Sequence, residues 1–160
     1  MNRKPELRMA EQGSKQRLRL WLRLLAVTRK IEAELRERMR TEFDSTLPRF
    51  DVMAALSRHE HGLRMSALSG VLRVSNGNVT GIVDRLADDG LVVRVPVAGD
   101  RRAMLVCMTA RGKDVFARQA AEHEAWIDTM LAELTPDEAR SYAARLRTLA
   151  QRLDDKGVSE

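Results

Sequence analysis

Residues 75–89 restrict the possible folds more than any other segment, because they predict an amphipathic helix with defined ends. Apolar residues recur at i, i+3, i+4 and i+7, the spacing of one buried helix face, in Val79, Ile82, Val83 and Leu86. Ser75 is a suitable N-cap, and Gly90 is a suitable residue to stop the helix. The segment therefore predicts a surface helix that packs one face on a core.

The opposite face of this helix is small and polar. It carries Gly77, Thr80, Gly81, Asp84 and Asp88, and Asn76, Asn78 and Arg85 flank it. A helical glycine is less favourable than alanine by about 1 kcal/mol, so two exposed glycines predict a partner that approaches the backbone closely. The major groove of DNA is such a partner, because polar side chains beside it can bind phosphates and base edges. A helix that packs its glycines on a neighbouring helix is the alternative.

The segments around this helix predict a helix-turn-helix followed by a β-hairpin. A short helix over about 66–72 is joined through Arg73-Val74 to the glycine-bearing helix, which is helix-turn-helix spacing. Leu91–Val95 is β-branched and predicts a strand, a turn follows at Pro96, Gly99 and Asp100, and Met104–Met108 predicts the returning strand. We call this hairpin the wing.

Long helices are predicted on both sides of this region. Residues 14–43 carry an apolar stripe in Leu20, Leu24, Val27, Ile31, Leu35 and Met39. Leu47-Pro48 begins the next helix, Thr109 caps a long one, and Thr135 to Glu138 forms a capping box before the last. Residues 1–13 show little periodicity and predict a mobile arm. The fold class is therefore mainly α with a small β-hairpin.

Composition narrows the class of protein further. The net charge is +5, and residues 1–40 hold 12 basic and 5 acidic residues whereas residues 121–160 hold 5 and 9. Uneven basic charge favours an anionic partner. The single cysteine and the absence of an apolar run long enough to span a bilayer favour the cytoplasm, with no membrane partner. No metal-ligand or catalytic spacing is present, so we expect neither an enzyme nor a cofactor.

The wing resembles the signature of the MarR family of regulators. Asp100-Arg101-Arg102 is followed by Val106-Cys107-Met108-Thr109 and then Gly112, which is similar to the family pattern except that Met108 replaces the usual leucine. The resemblance extends from about residue 17 to 155 and includes Leu47-Pro48-x-Phe50. It implies a winged helix-turn-helix protein that binds DNA as a homodimer.

The resemblance also implies which segments of the chain bind DNA and which form the dimer. Residues 47–108 would form the DNA-binding lobe, and residues 14–46 with 109–155 would form the dimerisation region. The implied DNA-contacting residues are Arg73, Ser75, Asn76, Gly77, Asn78, Thr80, Gly81 and Arg85 before or on the helix, and Asp100, Arg101 and Arg102 in the wing. Arg101 would enter the minor groove, while Asp100 and Arg102 would pair and hold the shape of the wing.

Family members usually release DNA when a small ligand, often an aromatic acid or phenol, binds beside the winged lobe. The resemblance therefore implies a ligand-responsive regulator, most often a repressor. Several segments resemble the subgroup that responds to hydroxycinnamoyl-CoA thioesters, and Arg36 and Arg40 could meet CoA phosphates as a pair. The expected ligand-binding set is Leu24, Thr28, Arg36, Arg40, Phe50, Met53 and His123. For the arginines the alternatives are a solvated face or direct contact with the DNA backbone, and for His123 the alternative is a core or interface histidine.

Two other functions stay open at this point. Cys107 could make the protein a redox-responsive regulator, but only if its thiol is exposed and has a low pKa. A winged helix can also serve as a protein-interaction module, which would need neither exposed glycines nor an arginine at the tip of the wing.

Overall fold

The computed structural model describes the backbone of residues 3–72, 76–97 and 99–157, and the side chains in those ranges except at positions 3–11, 76, 101, 102, 156 and 157. The chain divides into two compact units, Met1–His123 and Glu124–Glu160. The first unit contains the candidate site.

The described ranges form helices and a small sheet. In chain order the elements are α1 (Arg3–Phe43), α2 (Leu47–Ser57), β1 (Leu63–Arg64), α3 (Met65–Leu72), α4 (Asn76–Asp88), β2 (Val92–Val97), β3 (Asp100–Met108), α5 (Ala110–Met130) and α6 (Pro136–Gly157). The strand order is β1-β3-β2, and both pairings are antiparallel. The predicted fold, mainly helical with a β-hairpin wing behind a helix-turn-helix, is confirmed.

The buried face predicted for α4 lies in the core of the first unit. Val79, Val83 and Leu86 are fully buried, and they join a cluster built from α2, α3, α4 and the sheet. Ile82 is only partly buried. Burial of each large aliphatic side chain contributes about 1.5–3 kcal/mol, so this cluster fixes the direction in which the polar face of α4 points.

The first helix begins earlier than predicted. It starts at Arg3 rather than near Ser14, so residues 3–13 are helical where the weak periodicity predicted an arm. The mobility of that arm stays a prediction. Residues 3–12 are rich in good helix formers such as Leu, Arg, Glu and Gln. Pro5 lies in the first turn, where its missing N–H leaves no intrahelical bond unmade. Helix propensity therefore determined the backbone of this segment, although its apolar periodicity is weak.

The wing strands are also longer than predicted, and the sheet has a third strand. Pro96 lies within β2 rather than in the turn. Proline is tolerated there because β2 is an edge strand and the register shifts between Pro96 and Val97. The two-residue strand β1, in which Leu63 pairs with Val106, was not predicted.

Two predicted capping residues, Thr109 and Thr135, act as caps, and Thr46, which was not predicted, caps α2. Ser75, the cap predicted for α4, lies outside the described residues. The Arg49 N–H donates to Thr46 Oγ1 at 3.4 Å before α2, and the Gly112 N–H donates to Thr109 Oγ1 at 2.9 Å at the start of α5. In the second unit the Thr135 N–H donates to Glu138 Oε2 at 2.9 Å. The hydrogen bonds that Glu138 accepts from Thr135 lower the pKa of Glu138.

Within the described residues, no helix combines the length and apolar character that a bilayer crossing requires.

Candidate nucleic-acid interface

The glycines of α4 lie on an open helix face. Gly77 is exposed and Gly81 is half-buried. A Cβ atom added at either position would meet no atom of another part of the structure within 4 Å. The alternative in which these glycines let α4 pack on a neighbouring helix of this chain therefore fails. Space for a close partner remains along this face.

The other predicted contact residues of α4 fall partly inside the described structure. Asn78, Thr80 and Arg85 are exposed along the helix. Asn76 is its first residue, and the side chain of Asn76 lies outside the described residues, as do Arg73 and Ser75. The described side chains form a polar edge beside the two glycines.

The tip of the wing contains a tight turn. Gly99 has a φ of +83°, and Asp100 is exposed at the start of β3. Arg101 and Arg102 follow in the strand, but their side chains lie outside the described residues. The predicted pairing of Asp100 with Arg102 therefore stays a prediction.

Two ion pairs that the sequence did not predict hold α4 in place. The Arg94 guanidinium of β2 donates to Asp84 of α4 at 2.5 Å. Arg49 of α2 bonds to Asp89, which directly follows α4. Because β2 belongs to the wing, the Arg94–Asp84 pair fixes the wing relative to α4.

A cavity of about 470 Å³ lies between α2 and α4. Its lining residues are Thr46, Pro48 and Asp51 from the start of α2, Leu72 from the end of α3, and Asn78, Ile82 and Arg85 from α4. The volume lies within the range of small-molecule sites. Asn78 and Arg85 thus belong both to the cavity and to the polar edge of α4.

Among the described residues, one cation and one carboxylate line the cavity, Arg85 and Asp51. Burial raises the pKa of Asp51, nearby Glu32 raises it further, and Arg36 opposes both effects. Arg85 has no ion pair within the described part of the chain. An anion entering the cavity would therefore find a guanidinium without a carboxylate partner.

The residues predicted from the sequence to bind ligand do not line this cavity. Met53 is fully buried in the core, and Phe50 stacks on Phe116 at 5.5 Å and on His123 at 4.6 Å between ring centroids. Burial lowers the pKa of His123. Phe50, Met53 and His123 thus behave as packing residues, which for His123 was the alternative interpretation.

The remaining predicted ligand residues lie on α1. Leu24 is half-buried and Thr28 is exposed. Arg36 bonds to Glu32 at 2.9 Å, and Arg40 bonds to Glu37 at 2.6 Å. Each guanidinium already has a carboxylate partner on its own helix, so the pair is less available to a phosphate than the sequence indicated.

Cys107 lies on β3 and is half-buried. Its thiol approaches the His61 carbonyl oxygen at 3.6 Å, the distance of a weak hydrogen bond. A half-buried thiol beside a carbonyl oxygen does not test the redox-responsive alternative, which stays a prediction.

Comparison with known proteins now identifies the family. Residues 43–103 match the model of the MarR family. The transcriptional activatory protein BadR of Rhodopseudomonas palustris is 31% identical over 139 residues, which cover 83% of this chain and 74% of that protein. A MarR family transcriptional regulator from Silicibacter pomeroyi superposes with a TM-score of 0.72 at 30% identity, covering 88% of this chain and 97% of that structure. The chain belongs to the MarR family of transcriptional regulators.

As a member of the MarR family this chain is a transcriptional regulator rather than an enzyme, because its relatives are transcriptional regulators. The fold is also found in a protein of lower sequence identity. A mutant of MarR from E. coli in complex with operator DNA has a TM-score of 0.73 at 24% identity, covering 84% of this chain and 95% of that structure.

The structure gives a physical reason for the Thr-x-x-Gly end of the MarR signature. The Thr109 N–H donates to the Leu91 carbonyl at 3.0 Å, and the Thr109 hydroxyl donates to the Gly90 carbonyl at 2.8 Å. A Cβ atom at Gly112 would lie 1.9 Å from the Leu91 carbonyl oxygen. Only glycine allows the start of α5 to approach the end of α4 and the start of β2 this closely.

Proposed function

We propose that this MarR-family protein binds duplex operator DNA as a homodimer, with α4 in the major groove and the wing at the adjacent minor groove. The open glycine face of α4 carries this proposal, since it leaves the backbone accessible beside Asn78 and Thr80. The operator complex of the E. coli MarR mutant, which has the same fold, supports binding to operator DNA, and the groove assignment follows the usual geometry of helix-turn-helix proteins.

Exposed apolar side chains on two helices support the homodimer. On α1 of the first unit these are Leu18, Leu20, Trp21, Leu22 and Val27, each more than half exposed. On α6 of the second unit they are Tyr142, Leu146, Leu149 and Leu153. Large exposed apolar surfaces are typical of protein–protein interfaces. We assign the dimerisation region to residues 14–46 and 109–155 and the DNA-binding lobe to residues 47–108, as the sequence predicts.

Selection from a pool of random duplexes tests DNA binding and yields the operator sequence in the same experiment. We expect inverted repeats whose half-site centres lie about 10–10.5 base pairs apart, or a multiple of that. Binding should weaken steeply with salt, because neutralising about six phosphates gives a slope of roughly −5 in log K against log salt concentration. Failure to enrich any sequence, or binding that does not change with salt, would favour the protein-interaction module.

The wing has its own test in Arg101. Arg101→Ala should weaken operator binding while the circular dichroism spectrum and the melting temperature stay unchanged. Arg118→Ala, which removes an exposed arginine of α5, is the matched control. Equal affinities for the two variants would remove Arg101 from the interface.

We further propose that a small anionic effector binds in the cavity between α2 and α4 and releases DNA. Arg85 would bind the anion, and apolar atoms of Pro48 and Ile82 would contact an aromatic body. Such a ligand would engage Asn78 and Arg85, which the docking mode places beside DNA. Titrating aromatic acids into the protein–operator complex tests this, and no release by any acid would refute it.

An aryl-CoA thioester is the alternative effector class from the sequence. Its phosphates would have to displace Glu32 and Glu37 from Arg36 and Arg40. A thermal-shift panel of free aromatic acids and aryl-CoA thioesters separates the two classes, because a selective binder raises the melting temperature by mass action.

The direction of control follows from transcription in vitro on a selected operator. We retain repression, which the family resemblance implied, as the expected outcome. Activation is the competing outcome, and it is the one named for the relative from Rhodopseudomonas palustris.

A further inference from the structure

The cavity between α2 and α4 contains a negative group as well as a positive one. Asp51 and Arg85 both line it, yet among the described residues no ion pair joins them. The charged atoms of the two residues therefore lie more than 4 Å apart, and both residues line the same cavity of about 470 Å³. A ligand in this space would meet opposite charges at two places.

We propose that Asp51 determines effector specificity by selecting small acids that also carry a hydrogen-bond donor away from the carboxylate. The inference rests on the effector cavity proposed above and adds the chemistry of the ligand. The ligand class is an acid with an apolar body and a hydroxyl or amine group, whose carboxylate binds Arg85 and whose donor binds Asp51.

The environment of Asp51 makes an unmatched ligand costly. An ionised carboxylate only accepts hydrogen bonds. Burial raises the pKa of Asp51 and nearby Glu32 raises it further, while Arg36, the cation that opposes them, is bonded to Glu32 at 2.9 Å. Arg36 is therefore shared between two carboxylates and leaves Asp51 partly uncompensated.

This uncompensated charge discriminates between ligands of the same size. A ligand that covers Asp51 without donating removes water from a carboxylate and gives no hydrogen bond in return. A ligand that donates replaces the lost water. A second carboxylate at this end would be repelled. The apolar residues Pro48, Leu72 and Ile82 separate the two polar ends and suit an aromatic ring.

Three benzoates that differ at one position test the inference by isothermal titration calorimetry. 4-Hydroxybenzoate donates at the far end, 4-methoxybenzoate keeps the oxygen but cannot donate, and benzoate has neither group. We expect the wild-type protein to bind 4-hydroxybenzoate at least about tenfold more tightly than 4-methoxybenzoate, which is the usual effect of one hydrogen bond to a charged group.

Variants of Asp51 should change this ratio rather than remove binding. Asp51→Asn accepts and donates, so the ratio should fall to near one. Asp51→Leu should reverse it in favour of 4-methoxybenzoate and benzoate. Asp114→Asn, which changes an exposed carboxylate of α5, should leave the ratio as in the wild type. Circular dichroism melts establish that each variant is folded.

Arg85 separates the failure of this inference from the failure of the effector cavity. Arg85→Gln should weaken all three acids by a similar factor. If the acids bind and Arg85→Gln weakens them while the Asp51 variants keep the wild-type ratio, Asp51 does not select ligands, although the cavity stands. If no acid binds the wild type, or if Arg85→Gln changes nothing, the effector cavity is overturned together with the inference.

Discussion

Substitution of Gly81 should increase stability and decrease DNA affinity at the same time. Gly81→Ala replaces a helical glycine, and the added Cβ meets open space. The gain from helix propensity is therefore not offset by a clash. It amounts to about 0.8–1 kcal/mol, or roughly 2–4 °C in melting temperature for a chain of this size. Gly81→Leu should keep most of this gain, since leucine is also a good helix former.

The effect on DNA should have the opposite sign and grow with side-chain size. In the proposed docking mode the duplex approaches the α4 backbone at Gly81, so a methyl group weakens binding and an isobutyl group abolishes it. Fluorescence anisotropy on a selected operator measures the dissociation constants, and calorimetric or circular dichroism melts measure stability. Both should be measured at the same salt concentration, because the affinity depends on it.

Gly13→Ala provides the matched control on α1. A Cβ there would lie 3.3 Å from a guanidinium nitrogen of Arg17, the flexible end of a side chain that can move. This variant should gain stability without a change in operator affinity. Two results would refute the reasoning. If Gly81→Leu bound DNA normally, nothing approaches this face closely, and if Gly81→Ala lost stability, the face is not open in solution.

Four further substitutions test three other parts of the structure. Gly112→Ala should destabilise the protein by about 3 kcal/mol, the upper range for overpacking, because its Cβ would overlap the Leu91 carbonyl; a denaturant midpoint equal to the wild type would contradict this. His123→Phe should flatten the pH dependence of stability below pH 6.5. The pKa of His123 is lowered from 6.5 in the folded protein. The stabilisation that the neutral histidine contributes is therefore fully present above pH 6.5 and is lost as the pH falls through the folded pKa. Identical pH profiles for the variant and the wild type would exclude this contribution. Asp84→Ala and Arg94→Ala should each reduce operator affinity. Their coupling in the free energy of unfolding should be only about 0.5 kcal/mol, since the ion pair is partly exposed. Exchanging the two charges should restore part of the operator affinity.

Local patterns predicted most of the fold. The buried face of α4 followed from a helical repeat that involves only its own residues, and the caps at Thr109 and Thr135 followed from short-range hydrogen bonding. The strand β1 could not be predicted in this way. It is two residues long, and Leu63 is a strand residue only because Val106 of β3 lies beside it.

Local sequence likewise predicted one part of the candidate site and not the other. The exposed face of α4 was predictable because its glycines contradict local helix propensity, which is a signal in the sequence itself. The cavity was not predictable, since Asp51 and Arg85 come to line the same cavity only through the packing of α2 against α4. The sequence instead indicated Phe50, Met53 and His123, whose apolar and aromatic character serves packing equally well.

The position of the cavity limits how an effector would act on DNA binding. A ligand shifts an equilibrium only by its difference in affinity between two states. Arg85 and Asn78 line the cavity and stand on the helix proposed to enter the groove, so ligand and DNA would draw on the same side chains. Release then needs no signal carried across the protein. It requires only that the ligand holds these side chains in positions, or places its own atoms and charge there, that weaken their contacts with DNA. The coupling is therefore bounded by the contacts of two residues, and an Arg85→Gln protein that still bound its operator should no longer release it in response to acids.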